Sequence, residues 1–217
     1  MAKTLELPEQ KVILHGISWD TYERLLADHG DRAVPRFAYD RGVLEAMSPS
    51  VEHEGLARTI AMIVSIVAEE VEVDVFDAGS TTFKREDLER GFEPDGCFYI
   101  QHAGRIRSKR RIDLTTDPPP DLVIEVDITS PSLNKLPIYA SIGVAEVWRH
   151  DGERLSIFRL EGANYVATEA SRVLPPLDAD VLSELAAVSW AQERTVWMRA
   201  VRDWVRRHRQ ATGGPPA

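Results

Sequence analysis

Cysteine is almost missing from this sequence: Cys97 stands alone among 217 residues. An internal disulfide is therefore excluded, and so is a zinc cluster built on thiolates. Long apolar runs are missing too. No stretch of about 18 apolar residues occurs, so no membrane-spanning helix is expected. The N-terminus, MAKTLELPEQ, carries no apolar signal core, and a cytoplasmic location is expected. Positive charge is in short supply, with 26 Lys and Arg against 35 Asp and Glu and a net charge of −9. That balance argues against a protein that coats nucleic acid by bulk electrostatics, but not against one that grips phosphates locally.

What is present is ordinary for a globular α/β protein: 43% hydrophobic and 28% charged residues. The length suits one domain over 1–211, with residues 212–217 (TGGPPA) expected as a disordered tail. Basic residues cluster at Arg105 to Arg111 and again from Arg194 to Arg209. Residues 19–29 read as a helix with Ser18 as N-cap. Residues 36–47 read as a hairpin around Asp40-Arg41-Gly42, where glycine suits a positive φ. Leu56, Ile60, Ile63, Val64, Val67 and Val71 recur at helical spacing, which predicts a helix over 51–71. Strands are expected at 73–76, 81–84 and 96–100, and a fully covered central strand at 122–126. A helix over 134–142 should stop at Gly143, with Pro137 tolerated in its first turn. Strands at 146–149, 155–160 and 165–168 follow, then helices at 180–185 and 189–209.

Two segments bring carboxylates to strands that should be buried. One is Glu93-Pro94-Asp95, ahead of an apolar strand; the other is Asp121-Leu122-Val123-Ile124-Glu125-Val126-Asp127. A glutamate inside a run of Leu, Val and Ile is costly to bury unless it is paired or binds a metal. Glu125 and Asp127, two apart on a strand, should share a face, as should Asp121. Hard oxygen ligands of this kind suit Mg²⁺. Lys135 follows at the start of the next helix, where an ammonium could stabilise charge on a phosphoryl transition state. Together these parts suggest a phosphodiesterase. Taken singly, Asp121 or Asp95 reads as a solvated or turn residue and Lys135 as a surface lysine; if Lys135 acts in the transition state, Lys135→Ala should abolish cleavage and leave folding and metal binding nearly intact.

The segments EPDGCFYI and PPPDLVIEVDITSPSLNKLPIYASIGVAEVWRHDG, with MSPSVEHEGLARTI before them, resemble the Uma-two family of endonucleases within the PD-(D/E)XK nuclease superfamily. The similarity runs from about Phe37 to Leu160. It implies a restriction-endonuclease-like α/β core at about 36–160, a central mixed sheet flanked by helices, with helices added at both ends. Pro94-Asp95 resembles the Pro-Asp motif and Glu125 the acidic member of Glu-x-Lys. Asp127 stands where that motif has lysine, and the resemblance moves the lysine's role to Lys135. His53, at the start of the first core helix, matches a histidine common in the family, the alternative being a surface or capping residue.

The implied activity is Mg²⁺- or Mn²⁺-dependent hydrolysis of DNA phosphodiester bonds. Asp95, Glu125 and the Val126 carbonyl would hold the metal, and Lys135 would position water, with His53 assisting. Rival readings are a catalytically silent binding or assembly module and a nuclease acting on RNA. Trp190, Val196, Trp197, Val201, Trp204 and Val205 in the C-terminal segment suggest a homodimer, unless they pack on the chain's own core.

Overall fold

The computed structural model describes residues 9–128 and 133–212, the last three of these by their backbone alone. In chain order they form β1 (Gln10–His15), α1 (Trp19–His29), β2 (Arg36–Asp40), β3 (Val43–Ser48), α2 (Val51–Glu70), β4 (Phe76–Asp77) and β5 (Phe83–Arg85). Next come β6 (Arg90–Phe92), β7 (Gly96–Tyr99), α3 (Ala103–Ile106), β8 (Leu122–Val126) and α4 (Leu136–Ile142). The chain continues through β9 (Glu146–His150), β10 (Leu155–Glu161), β11 (Asn164–Thr168), α5 (Ala179–Val188) and α6 (Arg194–Thr212).

Local chemistry accounts for the element ends. Ser18 accepts the Thr21 N–H at 3.2 Å and Ser50 accepts the His53 N–H at 3.1 Å, so both long N-terminal-half helices start on a serine cap. Arg41 and Gly42 have φ of 45° and 93°, the paired left-handed conformation of a two-residue hairpin turn. Gly143, at φ 89°, ends α4, and its N–H returns to the Tyr139 and Ala140 carbonyls.

The strands make two sheets. The larger is mixed, ordered β11-β10-β9-β8-β7-β4, with β8 and β9 parallel across the α4 crossover and its other pairs antiparallel. The second sheet, ordered β1-β3-β2-β6-β5, is antiparallel throughout and was not anticipated. Strand β8 is buried at every position, as its apolar run requires. Leu122, Ile124 and Val126 pack toward α2, α5 and α6, while Val123 packs with Ile138 and Tyr139 of α4 and with Phe83 and Phe92 of the second sheet. In α2, Ile60, Ile63, Val64 and Val67 are fully buried, each worth roughly 1.5–3 kcal/mol relative to exposure.

Several elements differ from expectation. The strand placed at 73–76 shrinks to Phe76 and Asp77, because Val73 donates back to the Ala68 carbonyl and extends the exit from α2. The last helix starts at Arg194, not Ser189, whose hydroxyl donates to the Ala186 carbonyl at the end of α5. That helix reaches Thr212, so a tail could start only at 213, and residues 213–217 lie outside the described residues. Trp197, Val201 and Val205 are buried in the chain's own core, while Trp190 and Val196 stay exposed. No helix among the described residues is long and apolar enough to cross a membrane.

Candidate active site

The C-terminal end of β8 meets three other elements. Asp95 sits just before β7, Lys135 and Tyr139 at the start and middle of α4, and Glu45 on β3 of the second sheet. Glu125 points to the α4 side of the large sheet. Its Oε2 accepts from Lys135 Nζ at 2.8 Å and its Oε1 accepts from the Tyr139 hydroxyl. Lys135 Nζ is also 3.8 Å from Glu45 Oε1, and the other Glu45 oxygen accepts the Leu133 N–H at 2.7 Å. Lys135 is therefore no surface lysine. Its side chain is 12% exposed, and removing it strands a carboxylate, so the expectation that folding would be indifferent to it is corrected.

Asp95 lies behind this pair with its side chain 1% exposed. One oxygen takes the Val126 N–H at 2.7 Å. The other faces the Arg36 guanidinium and, at 2.8 Å, His53 Nε2, which is close enough for an ion pair but not aligned as a hydrogen bond. His53 is fully buried, not at the surface, and its Nδ1 is 2.6 Å from Glu9 Oε2. Lys11 contacts Glu9 at 2.8 Å and Asp127 at 2.9 Å. Arg36 also holds Glu54.

A cleft of about 290 Å³ opens over Glu125, Asp127, Lys135 and Tyr139, with Lys11 and Arg149 on its rim. Asp95 does not line it; the cleft reaches the site through Glu125. Asp121, expected on the same face as Glu125, belongs elsewhere. It lies at the other end of β8 and accepts from Ile100 N, His102 N and His102 Nδ1.

The two central carboxylates are driven apart in pKa. Burial pushes Glu125 upward and Asp95 adds to that, outweighing the opposing pull of Lys135. Burial also opposes the charge on Asp95, but His53, Lys135 and Arg36 together hold it below the usual range. Burial works against charge on Lys135 as well, and is overcome by Glu125, Asp95 and Glu45, so its pKa rises. His53 follows the same logic: burial lowers it, Asp95 and Glu9 raise it more. Separated pKa values on neighbouring acids mark groups poised for different roles.

Among the described residues, no three of His, Cys, Asp and Glu are arranged to hold a metal ion. Two carboxylates are nonetheless what Mg²⁺ commonly takes from a protein, with water and substrate oxygens completing its shell. The charge balance fits such an ion. Glu9, Glu45, Glu54, Asp95, Glu125 and Asp127 gather around Lys11, Arg36, Lys135 and the titratable His53, so negative charge is in excess among these residues.

Sequence reasoning missed Glu45, Arg36, Glu9 and Lys11. For Glu45 a signal existed: it sits in a strand with Val43 and Met47 two residues to either side, so it shares their apolar face. Part of each basic cluster is paired with the chain's own acids. Arg107 pairs with Asp74, Lys109 with Asp117, and Arg202 and Arg206 with Glu69 and Glu70.

A family model described as "Putative restriction endonuclease" (Uma2) matches residues 19–193. The fold is similar to a crystal structure described as a "putative nuclease" from Anabaena variabilis, with a TM-score of 0.51 at 14% identity. That match covers 87% of this chain and 99% of that one. No curated protein matches the chain.

Proposed function

This chain belongs to the Uma2 family of restriction-endonuclease-like proteins, and from that premise we propose that it is a divalent-metal-dependent endonuclease hydrolysing DNA phosphodiester bonds. The observation that carries the reading is the Lys135–Glu125 contact at 2.8 Å, next to Asp95 and open to a cleft. Asp95, Glu125 and the Val126 carbonyl are the groups to hold Mg²⁺ or Mn²⁺. When bound, such an ion supplies Lewis-acid charge to a phosphoryl oxygen and lowers the pKa of water.

The chain's own residues do the rest. Tyr139 and Lys135 each hold one Glu125 oxygen and so fix its direction. Lys135 has further N–H donors with which to orient an attacking water and to stabilise charge on the phosphorane-like transition state. His53 and Arg36 position Asp95 without reaching the cleft. Two copies acting on the two strands of a duplex would meet through the exposed Trp190 and Val196, and a light-scattering mass of one chain would reject that arrangement.

One observation favours a silent binding module instead: Arg36 already pairs with Asp95 and Glu54. A single experiment separates the two. Wild type and Glu125→Ala are incubated with duplex DNA, single-stranded DNA and RNA, with Mg²⁺, Mn²⁺ or chelator, and melted with and without metal. The endonuclease reading expects metal-dependent cutting of DNA by wild type alone, and a metal-induced rise in melting temperature that Glu125→Ala loses. No cutting and equal melting shifts in both proteins would leave the silent module; cutting confined to RNA would change the substrate.

A further inference from the structure

We propose that Arg149 is the phosphate anchor of this cleft, gripping a backbone phosphate beside the one that is cut; the inference rests on the nuclease reading above. Arg149 lies on β9, directly opposite Glu125 in the parallel β8–β9 register, so the two side chains leave the same face of the sheet. It is the exposed position of an otherwise buried strand. Its guanidinium carbon lies 5.2 Å from the centre of the Phe158 ring on the next strand, and the residue lines the cleft.

Charge bookkeeping singles this residue out. The other cations lining the cleft are engaged: Lys135 with Glu125 and Glu45, and Lys11 with Glu9 and Asp127. Among the described residues, no carboxylate lies within ion-pair distance of Arg149. A phosphodiester entering the cleft meets Glu125 and Asp127, both repulsive. An arginine seated on an aromatic ring offers two parallel N–H groups that match two phosphate oxygens, and its charge is not spent elsewhere. The Phe158 contact holds the Arg149 guanidinium beside the cleft that Glu125 and Lys135 line, where a phosphate can reach it.

The test is binding, read apart from cutting. A fluorescein-labelled DNA duplex is titrated with wild type, Arg149→Gln, Arg149→Lys and Arg105→Gln in chelator over a range of salt. Arg105 is an exposed residue of α3, outside the cleft. Arg149→Gln should bind about tenfold more weakly, and its slope of log affinity against log salt should flatten by about one. Arg149→Lys should keep the slope but lose part of the affinity, and Arg105→Gln should match wild type. Melting curves confirm that each variant is folded. If Arg149→Gln binds as wild type does while wild type still cuts DNA, the anchor is overturned and the nuclease stands. A wild type that neither binds nor cuts any nucleic acid removes both.

Discussion

Strand β8 carries a buried acid near each end, and the two ends are built differently. At its start, Asp121 is enclosed by the backbone N–H groups of Ile100 and His102 and by the His102 ring, at 2.7–3.1 Å. At its finish, Glu125 is held by two side chains from the following helix and faces another carboxylate. A carboxylate satisfied by backbone amides is part of the scaffold, since those donors cannot move to a substrate. One held by Lys135 and Tyr139, beside Asp95 and open to a cleft, keeps its charge negotiable. Donor type, more than burial, separates the structural acid from the chemical one.

The sharpest way to break this contrast is Lys135→Ala. Cleavage should fall by about 10²–10³-fold, the value of one well-placed electrostatic group. Stability should fall as well, by about 3–5 kcal/mol in urea unfolding near neutral pH, because Glu125 is left buried without its partner. Taking up a proton would let Glu125 recover part of that loss. The double variant Glu125→Gln, Lys135→Met should recover most of the stability and none of the activity. A Lys135→Ala protein as stable as wild type would mean that the pair is not buried in solution.

Asp121→Ala makes the opposite prediction. Each amide left without an acceptor should cost roughly 1–3 kcal/mol in the same unfolding measurement. The cleavage rate per folded molecule should not change. A catalytic defect with intact stability would erase the distinction between the two ends.

The smallest effect concerns His53 and pH. Its pKa is raised on folding, so its stabilisation is fully present below the unfolded value of about 6.5 and is lost as pH rises through the folded value. Asp95 has the opposite sign, with its contribution lost as pH falls, while raised Glu125 loses stability upward like His53. Melting temperatures of wild type and His53→Gln, compared without metal from pH 6.5 upward, subtract the Glu125 contribution common to both. Wild type should decline more steeply, and parallel curves would remove His53 from the charged network.

Much of the fold was legible because its signals are local. The spacing from Leu56 to Val71 marked α2, Arg41-Gly42 marked the hairpin, and the apolar run around Glu125 marked the central strand. Strand β6 escaped because three residues with a central glycine show no periodicity, and β1 because it is a sheet edge with Val12 and Leu14 exposed. Within the site, Glu125 and Lys135 lie ten residues apart and were readable together. Arg36, Glu45, Glu9 and Lys11 reach it from the second sheet, and spacing along the chain carries no trace of that approach.

Those long reaches bear on the order in which the protein can come together. The Lys11–Asp127 bond spans 116 positions, Leu133–Glu45 spans 88 and Arg36–Asp95 spans 59. Each closes a large loop, and the entropy lost in doing so must be met before the contact returns anything. During synthesis the second sheet's contributors emerge well before β8 and α4: Lys11 meets Asp127 only after β8 is made, and Glu45 meets Lys135 only at the start of α4. Nascent chains and early folding species therefore contain the pieces of the proposed hydrolytic centre without the centre itself, and the completed arrangement arises only when both sheets have docked.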